Sequence, residues 1–201
     1  MSQGKFPWDD LLDQDQEHER EYELDVVQTP ERTAEFGSAG LSRLPLSPPL
    51  VVRLTIFNRH SKKPINADTE LPFLVANLSL YSADGARPLD ECTHTQTNKK
   101  HKMLYGTLVS STHQLYDESN RQGTFFVFPD VSVRLQGRYQ LRVTLMRLAH
   151  FGQSSTVPVG EFGKALVHTR TEPFDVVPLA QYVAPATTQL TRTFHRQGVR
   201  M

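Results

Sequence analysis

Cys92, His94 and His101 are the residues whose types most readily suggest chemistry, a thiol and two imidazoles spaced C-x-H-x6-H. Thiolate and imidazole bind zinc, and a thiol beside a base can act as a nucleophile. This spacing matches no familiar zinc site and supplies no fourth ligand, and the polar stretch around Cys92 fits an incidental thiol. The chain also lacks a glycine-rich phosphate loop, a G-x-S-x-G turn and an H-E-x-x-H motif. The expectation is a protein that is not an enzyme, with no cofactor, no metal and no small-molecule substrate.

The remaining candidates are cations. Arg32 and Arg43 lie in a long loop, Arg53 falls within a strand pattern, and Lys99, Lys100 and Lys102 crowd a polar stretch. A guanidinium can hold a phosphate or grip guanine O6 and N7 with its planar fork, and an ammonium can serve as a point contact to phosphate. Each also reads as an ordinary solvated charge; for Arg53 the plain alternative is a sheet-surface residue, and for the lysines a solvated loop or a weak nuclear import signal. The formal net charge of zero conceals an asymmetry. Residues 1–25 carry nine acidic side chains against Lys5 and Arg20, a net charge of −7, which leaves the rest of the chain at +7. An acidic segment on a basic body fits a nucleic-acid binder, and also occurs in proteins that bind none.

The elements that must position these cations read as strands. Residues 123–148 hold two of them. Phe125, Phe126, Val127 and Phe128 form a continuous run that suits a strand buried on both faces. After Gly137 the pattern alternates, with Tyr139, Leu141, Val143 and Leu145 on one face and Arg138, Gln140, Arg142, Thr144 and Met146 on the other. Further strands are expected over 22–28, 50–57, 73–81, 103–110, 164–168 and 173–177, and a helix within 180–192. Arg134 is out of phase with Val131, Val133 and Leu135, so a structural role is expected for it, pairing with Asp130 or supporting a loop.

Turn chemistry between strands at about ten-residue spacing predicts an all-β antiparallel sandwich or barrel with long loops and one or two short helices. Residues 29–49, rich in Gly, Ser and Pro, read as a loop without secondary structure, and 150–163 as a flexible excursion. Residues 1–20 read as an acidic, disordered tail and 21–201 as one domain. No run reaches the 18 apolar residues of a membrane span, so no membrane partner is expected, nor does the N-terminus resemble a signal peptide. The single cysteine excludes an intrachain disulfide and fits a reducing compartment.

Several segments, in order, resemble the velvet domain of fungal developmental regulators. Tyr22 to Arg32 (YELDVVQTPER) is similar to that family's opening strand and P-E-R turn, and Arg43 to Val52 (RLPLSPPLVV) to its R-x-P-x-x-P-P segment. Gly106 to Ser111 (GTLVSS) and Phe125 to Gly137 (FFVFPDVSVRLQG) resemble its core block. Glu172 to Gly198 follows its closing pattern, ending in S-x-x-F-x-x-Q-G. The resemblance implies an immunoglobulin-like sandwich akin to the DNA-binding domain of Rel and NF-κB proteins. It implies sequence-specific binding to double-stranded DNA as a homo- or heterodimer with other velvet-domain proteins, control of sporulation, development and secondary metabolism, and a nuclear location with a cytoplasmic pool.

By that resemblance the DNA contacts would come from Arg32 and Arg43, supplemented by Arg53, Lys99, Lys100 and Lys102. The loop departs from the pattern, with Leu41 and Leu44 where a basic residue is expected. Fewer phosphate contacts mean weaker, less salt-sensitive binding. The alternative is an interaction subunit that dimerises with another velvet protein and contributes little DNA contact. The acidic segment is expected to compete with DNA for the basic face.

Overall fold

The computed structural model describes residues 19–37, 43–93, 98, 100–148 and 164–201. The expected features at 1–18 and 150–163, together with Leu41, His94 and Lys99, lie outside the described residues. In chain order the strands are β1 (Arg20–Gln28), β2 (Arg32–Ala34), β3 (Leu50–Asn58), β4 (Leu74–Ser82), β5 (Glu91–Thr93), β6 (Lys100–Lys102) and β7 (Leu104–Tyr105). They continue with β8 (Val109–Ser111), β9 (His113–Tyr116), β10 (Gln122–Phe128), β11 (Ser132–Val133), β12 (Gly137–Arg147), β13 (Lys164–Arg170) and β14 (Phe174–Val177). One α-helix, α1 (Gln189–Arg196), follows.

Alternation of apolar and polar residues sorts ten of these strands into two layers, while β11 with β7 and β5 with β6 form two small two-stranded sheets. One sheet has the order β1-β3-β10-β9; the other runs β2-β14-β12-β4-β8, with β13 also paired to β12. Tyr139, Leu141, Val143 and Leu145 of β12 face Val52, Leu54, Phe126 and Phe128 across one apolar core, and all are buried. The chain is therefore an all-β, immunoglobulin-like sandwich. Among the described residues the strand pairings are antiparallel except that β14 pairs with β2 in parallel.

The Phe125–Phe128 run is buried on both sides because two different layers cover it. Phe126 and Phe128 join the inter-sheet core, whereas Phe125 and Val127 pack with Val51 and Leu115 against Leu190 and Phe194 of α1. Phe125 and Phe194 meet edge-on with centroids 4.9 Å apart, a favoured aromatic geometry. Both ends of α1 are tied to the same sheet. The Thr188 hydroxyl caps the helix by accepting from the Thr191 amide at 3.0 Å, and Gln28 of β1 donates to Thr191 and to the Pro49 carbonyl. Beyond its C-terminus, the Gln197 side chain donates to the Tyr116 carbonyl at 2.8 Å and accepts from the Tyr116 amide at 2.9 Å. The Gln197 carboxamide thus imitates a neighbouring strand on the edge of β9.

Three sequence expectations need correction. The strand expected over 103–110 is broken at Gly106, whose φ of +107° turns the chain so that a Cβ there would collide with the Asp130 carbonyl. Its halves, β7 and β8, join different sheets. The helix expected within 180–192 is displaced to Gln189–Arg196, with Pro185 and the Thr188 cap keeping the preceding residues extended. The 29–49 loop contains β2, because Thr33 and Ala34 are small enough to be buried beside β14. Arg134 takes the second role expected of it, supporting a loop, and not the pairing with Asp130; that carboxylate accepts from the Thr107 amide at 2.8 Å, holding the turn after Gly106.

Candidate nucleic-acid interface

The site sits where β2 and β14 end and β12 begins. Arg134, just beyond β11, points into this end and spends its guanidinium on three separate segments. Its Nε donates to the Lys102 carbonyl at 2.9 Å, Nη1 to the Gly37 carbonyl at 2.6 Å and Nη2 to the Tyr105 hydroxyl at 2.8 Å. The same cation lies 4.8 Å from the Phe36 ring centroid and 5.1 Å from that of Tyr105, and the two rings meet at 86°. Arg134 thus bolts the loop after β2 to β6 and β7. Charged hydrogen bonds of this kind are worth about 1.5–3 kcal/mol each before burial costs.

Tyr105, fixed in this way, carries a second cation. The Arg43 guanidinium rests 5.3 Å from its centroid. Arg43 and Lys102 are exposed and neither makes an ion pair among the described residues. A cation–π contact of this kind restrains the side chain, and Arg43 remains exposed to solvent. Arg32 belongs to the same end, because its amide donates to the Ser47 carbonyl at 3.0 Å and Thr33 Oγ1 donates to the Leu44 carbonyl at 2.9 Å. These bonds draw the Arg43 side of the loop against β2.

The other expected cations are placed differently. Lys100 projects from the β5–β6 hairpin and pairs with Glu91 at 3.3 Å, so its charge is locally balanced. Arg53 lies on the outer face of the other sheet, in register with Asp25 and Phe125 and 5.6 Å from the Phe125 ring. It flanks α1 rather than Tyr105. In the same hairpin as Lys100, Cys92 pairs in register with His101, and Cys92 packs on the core. No group of three His, Cys, Asp or Glu side chains able to hold a metal ion occurs among the described residues.

Sequence reasoning missed the partner of Arg43. Tyr105 has no distinguishing local pattern, and its pairing with Arg134 spans 29 residues, so no spacing rule exposes it. It also missed a buried cluster at the opposite end. There Glu70, 6% exposed, accepts from Arg20, Arg147 and Tyr22. Burial and the neighbouring carboxylate push the Tyr22 phenol well above its ordinary value, keeping it a donor.

Residues 22–101 and 88–201 match the family described as Velvet factor. The chain is 35% identical over 182 residues to a velvet complex subunit of Chaetomium globosum, covering 90% of this chain and 37% of that one. It is 30% identical over 205 residues to the spore development regulator RYP2 of Ajellomyces capsulatus, covering 100% and 47%. It is also 30% identical over 194 residues to the developmental and secondary metabolism regulator ve1 of Gibberella zeae, covering 90% and 35%. The chain spans less than half the length of these curated relatives. With its core block, closing helix and loop end all in the matched span, the chain belongs to the velvet family.

Proposed function

We propose that this chain is a transcription regulator that binds double-stranded DNA through the Arg43–Lys102 end of the sandwich, as a homodimer or with another velvet-domain protein. The observation that carries the reading is Arg43 stacked on Tyr105, with no carboxylate partner among the described residues. A guanidinium ordered before it meets its ligand loses less entropy on binding, and its fork suits a phosphate or a guanine edge. Lys102 and Arg32 supply further phosphate contacts around it. In this reading residues 21–201 form the DNA-reading unit, residues 1–20 lie outside it, and the protein acts in the nucleus with a cytoplasmic pool. Control of development, sporulation and secondary metabolism is proposed by likeness to relatives that carry those names.

Dimerisation follows from the small number of contacts. Two or three phosphate contacts per protomer give weak binding at physiological salt, and a second protomer doubles them. The test is a gel-shift titration with a pool of duplexes, using wild type and Arg43→Ala. Retardation that weakens markedly in the variant supports the proposal; equal retardation contradicts it.

A second reading is an interaction subunit that contributes little DNA contact of its own. The pairing of Lys100 with Glu91 and the full commitment of Arg134 to internal bonds favour it, since few cations are left for phosphate. Absence of DNA binding alone, together with a stable complex with another velvet protein in gel filtration, would select this reading.

A further inference from the structure

We propose that the outer face of the six-stranded sheet is a docking surface for the acidic N-terminal segment of this same chain. Pairing registers lay out that face row by row. Arg32, Asp175 and Arg138 share one row across β2, β14 and β12. Two residues further along β12, Gln140 pairs with Tyr81, and beyond it Arg142 lies between Ser79 and Arg170. Among the described strand residues, four arginines therefore share this face with one carboxylate, Asp175. None of the four makes an ion pair among the described residues.

The face is ordered as well as basic. Arg142 donates to the Tyr81 hydroxyl at 3.0 Å, and the Arg142 and Arg170 guanidinium carbons lie 5.9 Å and 5.2 Å from the Tyr81 centroid. The Arg142 Nε is buried without a partner. Two like charges held against one ring, with no ion pair among the described residues, are best satisfied by an anionic ligand. Carboxylates suit the guanidinium fork.

The occupant is argued from charge, spacing and position. Asp13, Asp15 and Glu17 recur at every second residue. In an extended chain such a run sets its carboxylates on one side, as Arg138 and Arg142 share one face of β12. The segment leads into β1 at Arg20, which binds Glu70 together with Arg147, the last residue of β12. Arg147 turns to the core and Arg142 to the outer face, about 17 Å away along the strand, a span that Asp13 and Asp15 can cover from Arg20 while Glu17 stays nearer the sheet edge. The proposal does not depend on DNA binding.

The test is NMR on the full chain carrying a nitroxide at Gln14→Cys in a Cys92→Ser background. At low salt the amides of Arg142, Thr144 and His168 are expected to lose intensity. They should recover at about 0.5 M salt, where the screening length is only about 4 Å. They should also recover in Arg138→Glu/Arg170→Glu, whose side chains are both exposed. If that pair fails to fold, Asp13→Asn/Asp15→Asn/Glu17→Gln leaves the sheet intact and should abolish the broadening. The proposal is overturned by undisturbed amides at low salt, or by broadening that survives either set of charge changes. It is also overturned if these amides stay undisturbed by the nitroxide but shift on adding duplex DNA, which would make the face a nucleic-acid surface.

Discussion

The Arg43 guanidinium lies 5.3 Å from the centroid of the Tyr105 ring, and Tyr105 itself accepts a hydrogen bond from Arg134. The exposed cation is placed by a half-buried one. Arg134 offers the solvent little, yet the position of Arg43 depends on it.

Arg134→Lys separates these roles. A single ammonium cannot serve the Lys102, Gly37 and Tyr105 oxygens in their separate directions. The substitution should cost about 2–3 kcal/mol, measured by urea unfolding. It should also weaken DNA binding although Arg43 is unchanged. Full stability with reduced binding would instead point to direct contact by Arg134.

Glu70 closes the opposite end by bridging Arg20 and Arg147. Glu70→Gln removes the charge that Arg20 and Arg147 share, so a loss of about 1.5–3 kcal/mol is expected in denaturant titration. Lys62→Ala removes the exposed pair with Glu21 and should leave the unfolding midpoint essentially where it was.

The closing helix predicts a graded pair. Phe194, fully buried against Phe125, should cost about 3–5 kcal/mol when changed to alanine. Gln197→Ala removes the two bonds to Tyr116 and a third from its carboxamide to the Thr193 carbonyl, a loss of about 1 kcal/mol at this exposed position. It should nevertheless accelerate hydrogen exchange at the Tyr116 amide and promote association through the bared β9 edge.

Burial holds the His113 imidazole below its ordinary value. The folded protein therefore binds its proton less readily than the unfolded chain, so stability is fully present above the ordinary histidine range and falls as pH drops through it. Thermal unfolding between pH 7.5 and 5 should show a shallower decline in His113→Gln than in wild type. Parallel curves would exclude His113 as the source.

Local pattern made the strands legible. The two-residue period of β12 and the double-sided run of β10 identify core residues because a strand's faces alternate without regard to its neighbours. The break at Gly106 was not legible, since it depends on the close approach of Asp130, 24 residues away. The displaced helix has the same character, set by Thr188 and by Gln28 from the far end of the chain. At the site, residue type singled out Arg32, Arg43 and Lys102. Only the fold distinguishes them from Lys100, balanced by Glu91, and from Arg53, seated beside α1 on the other sheet.

The central claim is that Arg43 meets phosphate or a base edge from its seat on Tyr105, and the salt dependence of DNA affinity tests it most directly. Binding constants for wild type and Arg43→Ala should be measured from low to moderate salt. The wild-type logarithmic plot should fall steeply, and Arg43→Ala should bind more weakly with a slope smaller by about 0.9, the share of one phosphate contact. If Arg43 reads a base instead, affinity should fall with little change in slope, and discrimination at one position should relax. Identical affinity, slope and sequence preference in the two proteins would contradict the account.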